Sequence, residues 1–125
     1  MTLQQIQTLI QSLPGISSWE LRRLRKKSYQ RYLVFDRLDS QRVVETETYS
    51  ALLYKTYQEK GQTVLGESVV SLSEGDRVAE RLSRAWEMAS LVSNPVFELP
   101  EKGGSYEQVP TCDNEVRADP LRFLD

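Results

Sequence analysis

The sequence predicts an α+β fold: a mostly antiparallel sheet of about five strands, with an N-terminal helix and a long helix over residues 73–93 packed on it. Three observations carry this. Val78, Leu82, Ala85, Trp86, Ala89 and Val92 fall at helical spacing and form one apolar stripe. Runs rich in β-branched and aromatic residues fill the chain from Tyr29 to Leu72, separated by short polar stretches. The connections between these runs are tight, which antiparallel neighbours allow and parallel ones do not.

The elements follow in order. Thr2 is placed to cap a first helix running to about Leu13, with Leu3, Ile6, Leu9, Ile10 and Leu13 on one face and Pro14-Gly15 as the stop. Residues 17–28 carry two signals. Ser17-x-x-Glu20 is a capping-box pattern in front of helix formers, whereas Trp19 and Leu21, followed by Arg23, Arg25 and Lys27, alternate as a strand that leaves the core halfway along. The strand is preferred, because tertiary pairing overrides weak local propensity. Tyr29–Asp36 is read as the next strand, Arg37–Ser40 as a polar turn, Gln41–Thr48 as the returning strand and Tyr49–Tyr57 as another. Glu59–Gln62 makes a hairpin loop, and Gln62–Leu72 returns, with Gly66 marking a bulge or a close approach. Ser73-x-x-Asp76 resembles a capping box for the long helix, which Asn94-Pro95 ends. Beyond Pro95 the chain is expected to be an extended, turn-rich tail, in which Asp119-Pro120 has the pattern of a helix start.

At 125 residues the chain is one domain by length, with ordinary composition: 39% apolar and 27% charged. The net charge of −2 gives no global attraction to nucleic acid or to anionic membranes. No apolar run approaches a membrane-spanning length, and the N-terminus lacks the pattern of a signal peptide. Cys112 is the single cysteine, so no internal disulfide can form; this fits a reducing, cytoplasmic setting. There is no histidine, which removes the Ser-His-Asp triad, the Cys-His pair and every His-based zinc site. Gly66-Glu67-Ser68 lacks the nucleophile-elbow pattern, and Gly103-Gly104 is not followed by the helix that a phosphate loop needs. Catalytic, cofactor and metal residues are therefore all expected to be none.

The densest charge cluster is Arg22, Arg23, Arg25, Lys26, Lys27 and Arg31. Glu45, Glu47, Glu59, Glu67 and Asp36 lie on strands or turns expected to be its neighbours, so cross-strand pairing would use up much of the cluster, and Glu45 and Glu47 share one strand face. A paired or solvated face is the simplest reading. A protein-contact surface made of Arg22, Arg23, Arg25, Lys27 and Arg31 is the functional alternative, and nucleic-acid binding is disfavoured by the net charge.

One resemblance crosses most of the chain. Gly66-Glu67-Ser68, a hydroxyl-rich strand, Leu72-Ser73-x-Gly75-Asp76, a long helix and then Asn94-Pro95 resemble the N-terminal domain of TldD/PmbA proteins. Ser18–Arg23 and Val44–Glu47 are similar to one branch of that family, and the likeness spans roughly residues 16–122. It implies a non-catalytic α+β domain over 1–100, with 101–125 as a tail or linker towards a second domain, and the ending at Leu124-Asp125 reads as a cut. The family is associated with metal-dependent proteolysis and peptide maturation, and its catalytic members carry a His-Glu-x-x-x-His motif in a later domain. That motif does not occur here, so no catalytic residue carries over. The partners implied are a second copy or a TldD/PmbA-type partner chain, with a peptide substrate as a further candidate and no membrane. The alternative from another class is a freestanding protein-interaction module acting through a strand edge or the basic strand. The apolar residues of the tail, from Val96 to Leu124, add an expectation of weak self-association.

Overall fold

The structure, a computed structural model, describes residues 1–101 and 103–122. Its elements run α1 (Leu3–Gln11), β1 (Ile16–Val34), β2 (Arg37–Glu59), β3 (Gln62–Ser73), α2 (Val78–Met88) with a 3-10 turn at Ala89–Leu91, and α3 (Asn114–Ala118). The fold class is α+β, and the sheet is antiparallel with strand order β1-β2-β3. The contacts divide the chain into two compact units. One comprises Met1–Arg25 with Glu47–Leu99, and the other comprises Lys26–Thr46 with the chain from Pro100.

In the first unit α1 begins with a complete capping box. The Thr2 hydroxyl accepts from the Gln5 N–H at 3.2 Å, and the Gln5 side chain accepts from the Thr2 N–H at 2.9 Å. Ile6 and Ile10 are fully buried and Leu13 nearly so, as the stripe requires. Gly15 turns the chain at φ +70° into β1. β2 and β3 pair in register from Thr48 opposite Ser73 to Glu59 opposite Gln62. Their connection is two residues, Lys60-Gly61, both at positive φ, the backbone requirement of the type I′ turn that matches strand twist.

The period-2 alternation puts Tyr49, Ala51 and Leu53 on one face, opposite Leu72, Val70 and Ser68. That face is the core, closed by Ile6 and Ile10 of α1 and by Leu82, Ala85 and Trp86 of α2, with Trp19 and Leu21 of β1 packed at its margin. On the opposite face the Tyr54 ring meets Phe97 edge-on at 5.8 Å between centroids. The Tyr57 hydroxyl donates to the Val92 carbonyl at 2.7 Å, and Leu65 and Asn94 exchange backbone hydrogen bonds at 2.9 Å, so the chain leaving α2 is clamped to β3.

The structure corrects several expectations. Five strands become three, because residues 17–28 and 29–36 are one strand, β1, and residues 41–48 and 49–57 are one strand, β2. No Gly or Pro punctuates either junction, so nothing interrupts the ladder. Ser17-x-x-Glu20 caps no helix; it lies within β1. The turn is Phe35-Asp36 rather than Arg37–Ser40. The long helix is also shorter than 73–93. Asp76 accepts from the Ser73 N–H at 2.7 Å, but this closes the turn after β3, with Gly75 at φ +87°, and the helix starts at Val78 without a side-chain cap. It gives way to the 3-10 turn at Ala89, and Val92 is already extended. At Gly66 the alternatives resolve to a close approach, since Gly66 sits in regular register opposite Lys55.

In the second unit, Lys26–Thr46 is the distal part of the β1–β2 hairpin. The tail is not wholly extended: Asp113 caps the one-turn helix α3, accepting from the N–H groups of Glu115 and Val116 at 2.8 and 3.3 Å. Asp119 is the C-cap of that helix, and its carbonyl accepts from the Arg122 N–H at 3.3 Å; the element expected to start at Asp119-Pro120 lies partly outside the described residues. Phe123 and Leu124, counted among the apolar residues of the tail, lie outside the described residues.

Candidate functional site

The basic strand is resolved into charge pairs. In the first unit Arg22 pairs with Glu20, and Arg25 donates to Glu47, whose second oxygen accepts from the Tyr49 hydroxyl. Alternation along β1 sends Arg23 and Arg25 to one face and Arg22 to the other. The Tyr49 hydroxyl and the Arg25 guanidinium hold the Glu47 carboxyl below its usual range, with a smaller contribution from the charge of Arg23. The same carboxylate pushes the Tyr49 hydroxyl up. These groups form a closed ion-pair cluster, not an acid–base couple, because both partners of Glu47 stabilise the same ionised form.

A pH dependence follows. A carboxyl whose folded pKa is depressed adds stability that is present above its unfolded value, near 4.3, and is lost as pH falls through the folded value. Denaturant midpoints measured from pH 6 to pH 3 should therefore fall more for the native chain than for Glu47→Gln. Parallel curves would show that Glu47 is not coupled to folding.

Within the second unit Lys27 reaches Glu45 at 2.8 Å and lies 5.6 Å from the Tyr29 ring centroid. Glu45 is held low by Lys27, and Lys27 is raised by Glu45 and then by Tyr29. Arg31 donates to Gln41 at 3.1 Å. Arg42 donates to Gln30 and lies 5.4 Å from the Tyr32 ring centroid. Of the candidate contact residues, Arg22, Arg25 and Lys27 thus bond carboxylates, Arg23 acts on Glu47 through its charge, and Arg31 meets an amide.

What the basic-cluster reading missed is the apolar surface beside it. No residue of Lys26–Thr46 is buried. Leu33, Val34, Leu38 and Val43 are about half exposed or more, and Phe35 is 95% exposed. Phe35 also has φ +49°, a conformation that bulky L-residues avoid. The available sequence signal was the run Leu33-Val34-Phe35 with no room for a partner strand before Asp36, but an apolar run reads equally well as core.

Elsewhere the described residues offer little chemistry. No group of three or more His, Cys, Asp or Glu is placed to hold a metal, and no helix is long and apolar enough to cross a membrane. Cys112 is exposed. An open groove of about 600 Å³ runs along α1 from Met1 to Leu9, with Val78 on its other wall and no ionisable side chain in its lining. Compared with family models, curated proteins and solved structures, the chain matches none.

Proposed function

We propose that this chain is a non-catalytic protein-binding domain whose contact surface is the hairpin Lys26–Thr46. One observation carries the proposal: the hairpin buries none of its residues and presents Phe35 at its turn, 95% exposed in the left-handed region. A two-stranded hairpin without a core is marginal in water. A non-glycine residue in that conformation costs about 1–2 kcal/mol, and at this exposure Phe35 regains almost none of it by packing. Several exposed apolar side chains on one short hairpin that also carries arginines have the composition of a contact surface. The TldD/PmbA resemblance suggests a setting, a channel-shaping or partner-binding N-terminal domain of a protein linked to metal-dependent proteolysis and peptide maturation. That setting rests on the motifs quoted above, while the binding role stands equally for a freestanding module.

The test is a photo-crosslinking residue at position 35, with a control at Arg84 on the exposed side of α2. Covalent protein adducts are expected at 35 and not at 84, in cells that express the chain. Phe35→Gly should abolish binding at this site while leaving the melting temperature unchanged or higher, since glycine adopts positive φ freely. No adduct at 35, or an unchanged yield at another hairpin position after Phe35→Gly, would sink the proposal.

A further inference from the structure

We infer that the partner of this hairpin is a second copy of the same chain, joined along the outer edge of β2 over residues 37–47. The inference rests on the protein-binding reading above and gives it an occupant. β3 covers β2 only from Thr48 to Glu59. In the three-strand order β1-β2-β3, residues 37–47 therefore have β1 on one side and, among the described residues, no strand on the other. An uncovered strand of this length is a template for strand addition, since its outward N–H and C=O groups lack ladder partners.

The side chains say what pairs there. In an antiparallel dimer with its two-fold axis at Gln41, Arg37 of each copy stands opposite Glu45 of the other, and Leu38 stands opposite Val44. Both contacts occur twice by symmetry. Glu45 already holds Lys27 at 2.8 Å and keeps lone pairs for a second cation. Arg37 has no carboxylate partner in the chain among the described residues, unlike Arg22, Arg25 and Lys27. The row across the joined sheet then alternates in sign: Lys27, Glu45, Arg37 of the second copy. Neighbouring registers are worse. Moving the axis to Arg42 sets that residue against its own copy and Asp39 against Glu45, and moving it to Ser40 sets Glu45 against Phe35 and Arg37 against Val43, so neither charge meets a partner across the axis.

The other edge of the hairpin cannot do this. The stretch of β1 from Lys26 to Val34 contains Lys26, Lys27 and Arg31 and no acidic residue, so a second copy there meets only like charge. A pairing of β2 with β2 is also isologous, so it closes at two copies rather than growing into a filament.

Sedimentation velocity over a concentration series, at low and high salt, tests the inference on the full chain. Reversible dimers are expected, weakened by salt because the pairs are exposed. Arg37→Glu should weaken association about ten-fold or more, since it places two like-charge pairs across the axis. The triple reversal Lys27→Glu, Arg37→Glu and Glu45→Lys, which restores every pair with opposite sign, should recover most of it. Hydrogen exchange on the native dimer should slow those amides of residues 37–47 that β1 does not bond. A strict monomer at every concentration, or a dimer that Arg37→Glu leaves unchanged, overturns the inference. If the chain is monomeric but position 35 still crosslinks to a different protein, the binding role stands and only the second copy is lost. If neither occurs, both fall together.

Discussion

Trp86→Ala is expected to cost about 3–5 kcal/mol, the range for truncating a large core aromatic. Trp86 is 5% exposed and sits among Leu82 and Ala85 of α2 and the inner face of the sheet. The Lys55 ammonium lies 5.0 Å from its ring centroid, so the variant loses a cation–π contact as well as apolar area. α2 has no side-chain cap, and its own short length cannot hold it helical in water. Packing through Trp86 is what keeps the helix in place, and a domain with a total stability of about 5–15 kcal/mol cannot absorb such a loss easily. Thermal unfolding followed by circular dichroism should show a midpoint lowered by roughly ten degrees or more, with early loss of helical signal. Trp86→Phe should keep most of the stability. A Trp86→Ala midpoint within a degree or two of the parent would show that the sheet does not depend on this helix.

Gly66→Ala is the second large effect, and it runs against intuition. In a strand, alanine normally improves on glycine. Here a Cβ would stand 2.0 Å from the carbonyl oxygen of Ala89 and 2.8 Å from its carbon, with the Tyr57 ring 3.1 Å away. The first two atoms are backbone, so no side chain can rotate aside. Ala89 is fully buried and begins the 3-10 turn, and its carbonyl accepts from the Val92 N–H at 3.3 Å. Relief would require that turn to move off β3, straining the Leu65–Asn94 bonds and the Tyr57 clamp on Val92. Overpacking of this kind costs about 1–3 kcal/mol and sometimes more. Denaturant midpoints should fall for Gly66→Ala and stay level or rise slightly for Gly103→Ala, where a Cβ meets nothing within 4 Å. Equal midpoints for the two variants would mean that the turn yields at no cost.

These two positions also mark how far the sequence is legible. The helical stripe identifies Trp86 as core with no structural information, because period and residue type agree. Gly66 can be recognised as special, but a bulge and a close approach leave the same trace. The choice depends on Ala89, 23 residues later in the chain. The candidate site divides in the same way. That the basic strand pairs with acids of neighbouring strands or turns is legible in the sequence, but which of Glu45, Glu47, Glu59, Glu67 and Asp36 it meets is not; the structure contains pairs with Glu47 and Glu45. The exposure of the hairpin is not legible, since Leu33, Val34, Phe35, Leu38 and Val43 have the composition of a buried strand and are left exposed because, among the described residues, no further strand covers them.

By itself the sequence determined what acts over a few residues. It specified the capped start of α1 at Thr2, the buried faces of α1 and α2, the β character of residues 29–72 and the tight hairpin at Gly61. It also excluded histidine-based chemistry. Only the tertiary structure decided that β1 and β2 run unbroken for 19 and 23 residues, that Ser73 and Asp76 close a turn instead of capping a helix, and that Phe35 occupies a turn. The physical reason is the range of the forces involved. Propensity and capping are set within one turn of chain, whereas the length of a ladder, and whether an apolar side chain is covered, depend on partners far away in sequence.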